Sequence, residues 1–244
     1  MIGMTKLSEK SFFAIKGELQ DGRLTMSGMR GYLIVLFLLS GIFVGISFAV
    51  ANANTIGWDT LSTGWHRVYY AEAVLFGFHL FLLLFCWWNN AFSQKLLSIG
   101  MVILTYKAAL DPFLMVVMFS KDEGNYDLFM PLILVILVSG LIIHIIVLVK
   151  WINSLRPKNK NEKKQNTKKN SKYLILFPFI FVLTTLTTIV TKNGLLGDYD
   201  LLFGVFIVTV VYLGLLIGAC EFIIAAYCVF RYPSFSVKNF KNKK

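Results

Sequence analysis

Residues 128–149 read LFMPLILVILVSGLIIHIIVLV, an apolar run of the length an α-helix needs to cross a hydrocarbon layer of roughly 30 Å. Its one ionisable side chain is His144. The run lacks the polar/apolar alternation of an outer-membrane strand, and backbone groups in hydrocarbon must be bonded within their own segment. Helix is the form that remains.

Working outward, five more stretches reach the same length: Gly31 to Val50, Val68 to Asn89, Leu97 to Phe119, Tyr173 to Thr191 and Leu201 to Phe230. The expectation is an all-α, polytopic integral membrane protein with six transmembrane helices. Composition points the same way, with 57% of the 244 residues hydrophobic, 15% charged and a mean hydropathy of +0.68. The high apolar content excludes a disordered chain, and three cysteines exclude a disulfide framework.

The net charge of +11 is unevenly distributed. The N-tail (Lys6, Lys10, Lys16, Arg23, Arg30), the turn at Lys95, the 150–172 loop and the C-tail after Phe230 together hold 20 cations. The alternate segments hold Arg67, Lys121 and Lys192 among six acidic residues. Cations are retained on the cytoplasmic side, so both termini are expected there, in a plasma membrane. Trp58, Trp65, Tyr69 and Tyr70 suit the outer interface, and Trp87, Trp88, Trp151, Tyr173 and Tyr232 the inner one.

These limits divide the chain into a cytoplasmic N-tail over 1–30, a four-span part over 31–151, a linker over 152–172, a two-span part over 173–230 and a basic cytoplasmic tail over 231–244. In the N-tail, Phe12, Ile15 and Leu19 share a helical face, the pattern of an amphipathic helix lying in the interface. The segment Lys158 to Lys172 (KNKNEKKQNTKKNSK) has almost no apolar residue and is expected to be a disordered cytoplasmic linker. It offers charge to anionic lipid or to an acidic partner. Nucleic acid is not expected as a partner, because no aromatic residue interleaves the lysines to stack on bases. Met29-Arg30-Gly31, the following apolar run and Ala51-Asn52-Ala53 imitate a cleavable signal, but the 30-residue leader and a run of spanning length favour an uncleaved first helix.

Ionisable residues at membrane depth cost several kcal/mol and mark sites by default. Here they are Glu72, His79, Lys107, Asp111, His144 and Glu221. Lys107 and Asp111 lie four apart on one helix and share a face, while a helical rise of about 1.5 Å per residue brings Glu72 to a similar depth. The expectation is one charge cluster of these three, a second of His144 with Glu221 nearer the cytoplasm, and His79 between. Such a ladder is an ion or proton pathway candidate, since histidine titrates near neutrality. Its structural counterpart is simple neutralisation of buried acids by Lys107. Thr184, Thr188 and Thr191 form a polar helix face that either lines a path or bonds back to its own carbonyls. Gly41 with Gly45, and Gly214 with Gly218, offer small-residue surfaces for close helix approach.

Other chemistries find little footing. His79 and Cys86 are seven positions apart on a helix, about 10 Å, too far for a base to reach its nucleophile. His79 and His144 differ in depth by roughly 8 Å, which does not suit two axial haem ligands. No Cys-x-x-Cys, His-Glu-x-x-His or nucleotide fingerprint is present, so neither metal nor other cofactor is expected. In size and span count the chain resembles the small permease subunits of ABC exporters, although its loop between the second and third spans is short. The leading expectation is a small non-enzymatic transporter or permease subunit, with a possible protein subunit partner. The alternatives are a membrane-embedded accessory, immunity or assembly subunit without transport activity, and an intramembrane enzyme.

Overall fold

The structure is a computed structural model and describes residues 8–53, 56–88, 90–155 and 199–237. No strand occurs among the described residues. A 3-10 turn (Glu9–Phe12) leads into α1 (Phe13–Gln20), followed by α2 (Met26–Ala51), α3 (Thr63–Phe85), α4 (Ala91–Asp122), α5 (Tyr126–Ser154) and α6 (Tyr199–Arg231). The five helices α2 to α6 are long and apolar enough to cross a membrane. The expected span at Tyr173 to Thr191, the Lys158 to Lys172 linker and the threonine face of Thr184, Thr188 and Thr191 lie outside the described residues.

Local sequence sets the helix ends. Thr25 caps α2 by accepting from the Gly28 amide (3.2 Å), and Asn90 caps α4 by accepting from the Ser93 amide (2.7 Å). Between α4 and α5 only Glu123, Gly124 and Asn125 intervene. Gly124 has φ +75°, and its amide and that of Asn125 bond back to the Lys121 and Ser120 carbonyls. That paired closure needs a left-handed residue, which glycine adopts without a Cβ clash.

α4 is the central helix, packed against α2 on one side and α6 on another. In its most apolar window 67% of residues are buried, against 17–28% in the other four helices, and its mean hydropathy there is the lowest, 1.7. The two facts have one cause: a face that meets protein need not be as apolar as a face that meets lipid. Polar Ser93, Gln94, Ser98, Thr105, Lys107, Asp111 and Ser120 are accordingly all buried on α4.

Close approach occurs at Gly100 and Gly140. A Cβ on Gly100 would collide with Leu82, and one on Gly140 with the Tyr212 ring, whose hydroxyl donates to the Leu137 carbonyl (2.8 Å). The glycines that the sequence singled out behave differently. Gly45, Gly214 and Gly218 face open space among the described residues, and Gly41 has Phe76 no nearer than 4.0 Å.

The apolar core has two halves. One joins Phe12, Ile15 and Leu19 of the N-tail to Leu97 and Met101 of α4, Ala225 and Cys228 of α6, and Phe235. The other joins Val44, Tyr69, Phe113, Phe129, Ile136, Leu201 and Tyr212. The apolar face formed by Phe12, Ile15 and Leu19 is thus buried in protein, with Phe12 tilted against the rings of Tyr227 and Tyr232, while Phe13 (78% exposed) points outward.

α5 and α6 run parallel, because Leu137 meets Tyr212 while His144 meets Leu216 and Cys220. The end of α5 packs with the first half of the core, whereas the start of α6 lies in the second. Residues 155 and 199 therefore stand at opposite ends of the bundle.

Candidate functional site

Between the two apolar halves lies a polar layer, and Lys107 is its centre. The Lys107 side chain is 3% exposed, and Nζ has three close oxygen partners from three helices: Oε2 of Glu72 on α3 (2.6 Å), Oδ2 of Asp111 on α4 (2.8 Å) and Oγ of Ser40 on α2 (2.6 Å). Two of these contacts, to Ser40 and Asp111, are hydrogen bonds from the ammonium, and the third is an ion pair. Ser40, having accepted from Lys107, donates its own proton to Asp111 Oδ2. The Phe76 ring lies 4.1 Å from Nζ, where its π face attracts the cation.

Local sequence explains why these groups meet. The buried positions of α2, Leu33, Leu36, Ser40, Val44 and Ser47, recur at helical spacing and put the two serines on the face turned to α4. Lys107 and Asp111 are one turn apart on α4, and α3 runs antiparallel to α4, which brings Glu72 level with Lys107.

The cluster is incompletely matched. Two carboxylates share one ammonium, and no other ionic partner appears in the cluster among the described residues. Asp111 Oδ1 is buried with no hydrogen bond, and Glu72 Oε2 meets the ammonium as a charge without hydrogen-bond alignment.

Beside this cluster a furrow of about 460 Å³ runs between α2 and α3. Its walls are the rings of Phe48, Trp58, Tyr69, Tyr70 and Phe76 together with Glu72, and Gly41 and Gly45 of α2 leave room for it. The Glu72 side chain is 15% exposed, so the carboxylate that pairs with Lys107 is also part of the furrow wall.

His79 does not join the cluster. Its Nε2 donates to the Leu33 carbonyl (2.9 Å), its Nδ1 has no hydrogen bond, and Phe37 stands edge-on to both His79 and Phe76.

The expected pairing of His144 with Glu221 is replaced by two others. His144 Nδ1 donates to the Leu216 carbonyl (2.8 Å), with Cys220 Sγ at 3.4 Å, and its Nε2 pairs with the Tyr106 hydroxyl (2.6 Å). Glu221 instead takes Arg23 of the N-tail, Oε2 to Nη2 at 2.6 Å. The reason is geometric: both His144 ring nitrogens are already bonded within α4, α5 and α6, and the folded-back N-tail brings its guanidinium to α6.

Sequence reasoning also missed Gln94. Its buried side-chain amide donates to the Phe235 carbonyl (3.0 Å) and accepts from the Val237 amide (2.9 Å), fixing the turn after α6 to the start of α4. Glu9 reaches the same turn through the Ser234 hydroxyl and pairs with Lys16 at 3.3 Å. Gln94 precedes the expected span at Leu97 and sits beside Ser93 and Lys95, so in the sequence it reads as an ordinary polar turn residue.

No group of three or more His, Cys, Asp and Glu placed to hold a metal ion occurs among the described residues. No family model, curated protein or solved structure matches the chain.

Proposed function

We propose that the chain is a small multi-pass transporter or permease subunit of the plasma membrane, with Glu72, Lys107 and Asp111 as its working site. The observation that carries this reading is the charge count. A buried pair that served stability alone would match its charges, whereas two carboxylates against one ammonium leave a negative charge for a proton or a substrate to neutralise. The accessible Glu72 supplies the route to it. Six spans with both termini cytoplasmic are part of the proposal. Their support is the cation asymmetry and the parallel run of α5 and α6, which requires the chain between them to return across the bundle.

A second reading, an accessory or assembly subunit, draws on the buried polar groups outside this cluster. There His144 and Glu221 are bound to neighbours within the chain, as structural polar groups are. Purification in mild detergent followed by reconstitution into liposomes separates the two. A transporter dissipates an imposed pH or solute gradient, alone or with its co-purifying subunits. A stoichiometric partner whose activity needs the chain, without any flux, would favour the accessory role.

A further inference from the structure

We infer that the furrow between α2 and α3 binds a lipophilic organic cation, whose charge meets Glu72 and whose apolar body lies among Phe48, Trp58, Tyr69, Tyr70 and Phe76. The inference rests on the transport reading of the same cluster and names its substrate class.

Three observations select this ligand. The first is charge: Glu72 and Asp111 exceed Lys107 by one negative charge, and in hydrocarbon an unmatched charge costs several kcal/mol, so an entering cation is favoured over an anion or a neutral molecule. The second is the wall, which offers five aromatic rings and one carboxylate. Ring faces attract alkylated or aromatic ammonium and phosphonium groups, and desolvation strengthens that attraction. A hard inorganic cation would instead need about six oxygen ligands, and among the described lining residues the side-chain oxygens are those of Glu72, Tyr69 and Tyr70, with the Tyr69 hydroxyl already bonded to Ser47 (2.6 Å). The third is access. Phe48 and Tyr70 are 47% and 67% exposed at the edge of two membrane-crossing helices, so the furrow opens sideways, where a lipid-soluble solute would arrive. Its volume of about 460 Å³ accommodates a molecule of drug-like size.

The test is equilibrium binding of tetraphenylphosphonium to the full-length protein in detergent or nanodiscs, with uncharged tetraphenylmethane as the apolar control. Expected is saturable binding of one cation per chain and little binding of the control. Glu72→Gln should weaken binding about tenfold or more. Gly45→Leu should abolish it by filling the furrow, because nothing lies within 4 Å of that glycine's added Cβ. Gly45→Leu leaves the charge cluster untouched, so it remains informative should Glu72→Gln misfold. Absence of saturable binding, unchanged binding in a folded Glu72→Gln or Gly45→Leu protein, or equal binding of the control would overturn the inference. So would a change of oligomeric state in Gly45→Leu without loss of cation binding, which would identify a second copy as the occupant. Binding without flux in liposomes would defeat the transport reading and leave the site standing. Flux of another solute without cation binding would do the reverse.

Discussion

Lys107 Nζ lies 2.6 Å from Glu72 Oε2 although the two residues belong to different helices and are separated by 35 positions in the chain. Asp111 lies 2.8 Å from the same nitrogen, so one ammonium on α4 ties that helix to α3 through Glu72 and to α2 through Ser40. Removing it alone should be more harmful than removing it together with Asp111. Lys107→Met is expected to destabilise by about 3–5 kcal/mol, because it leaves two buried acids unpaired. Lys107→Met/Asp111→Leu should recover a large part of that loss, measured by unfolding in detergent. A double variant no more stable than the single one would show that the lysine acts through packing alone.

The helix contacts make a prediction of opposite sense for glycines of equal appearance. Gly140→Val forces the Tyr212 ring aside and should cost about 1–3 kcal/mol. Gly214→Ala and Gly218→Ala, which meet nothing within 4 Å among the described residues, should stay within about 0.5 kcal/mol. Parallel thermal unfolding of the three variants decides it.

Gln94→Leu removes both bonds that hold the turn after α6, leaving a buried carbonyl of Phe235 and the amide of Val237 without partners. An unmatched buried group costs about 1–3 kcal/mol. The expected result is faster amide exchange at Val237 with little change at Tyr212, and equal protection in variant and parent would contradict the clamp.

The same turn should respond to acid. The Ser234 hydroxyl, then the hydrogen bond and charge of Lys16, hold the Glu9 carboxyl below its usual range. A depressed folded value means that the contact contributes fully above the ordinary carboxylate pKa of about 4.3 and is lost as pH falls through the folded value. Exchange at Ser234 and Phe235 should therefore rise below about pH 4, and Glu9→Gln should remove that pH step.

Orientation is read by tags. Those at either terminus and at Gln165 should be shielded from an external reagent, and those at Asn54 and Gly124 labelled, as the distribution of cations requires. Labelling of the Gln165 tag in intact cells would mean that α5 and α6 are not joined in the proposed way.

Much of this arrangement was legible in the chain because lipid simplifies the rules. Helix identity follows from length and hydropathy, and the meeting of Lys107 with Asp111 follows from a spacing of four on one helix. The partner from α3 needed only a depth estimate. Depth alone failed for Glu221, since the N-tail that supplies Arg23 folds back into the protein, and no periodicity within α6 records that. Ser40 was recoverable, because Ser40 and Ser47 are seven apart on one face of α2 and its buried positions follow helical spacing. The close-approach glycines were not, because Gly100 and Gly140 are distinguished by what crosses them, Leu82 and Tyr212, and not by their own neighbours in sequence.

The central claim is that the Glu72, Lys107 and Asp111 cluster works in transport and is not only a structural tie. Proton flux into liposomes under an imposed gradient, compared between the wild-type chain and the Lys107→Met/Asp111→Leu variant at matched reconstitution, tests it most directly. The account predicts a folded variant with flux reduced to the level of empty liposomes. A folded variant with wild-type flux would contradict it.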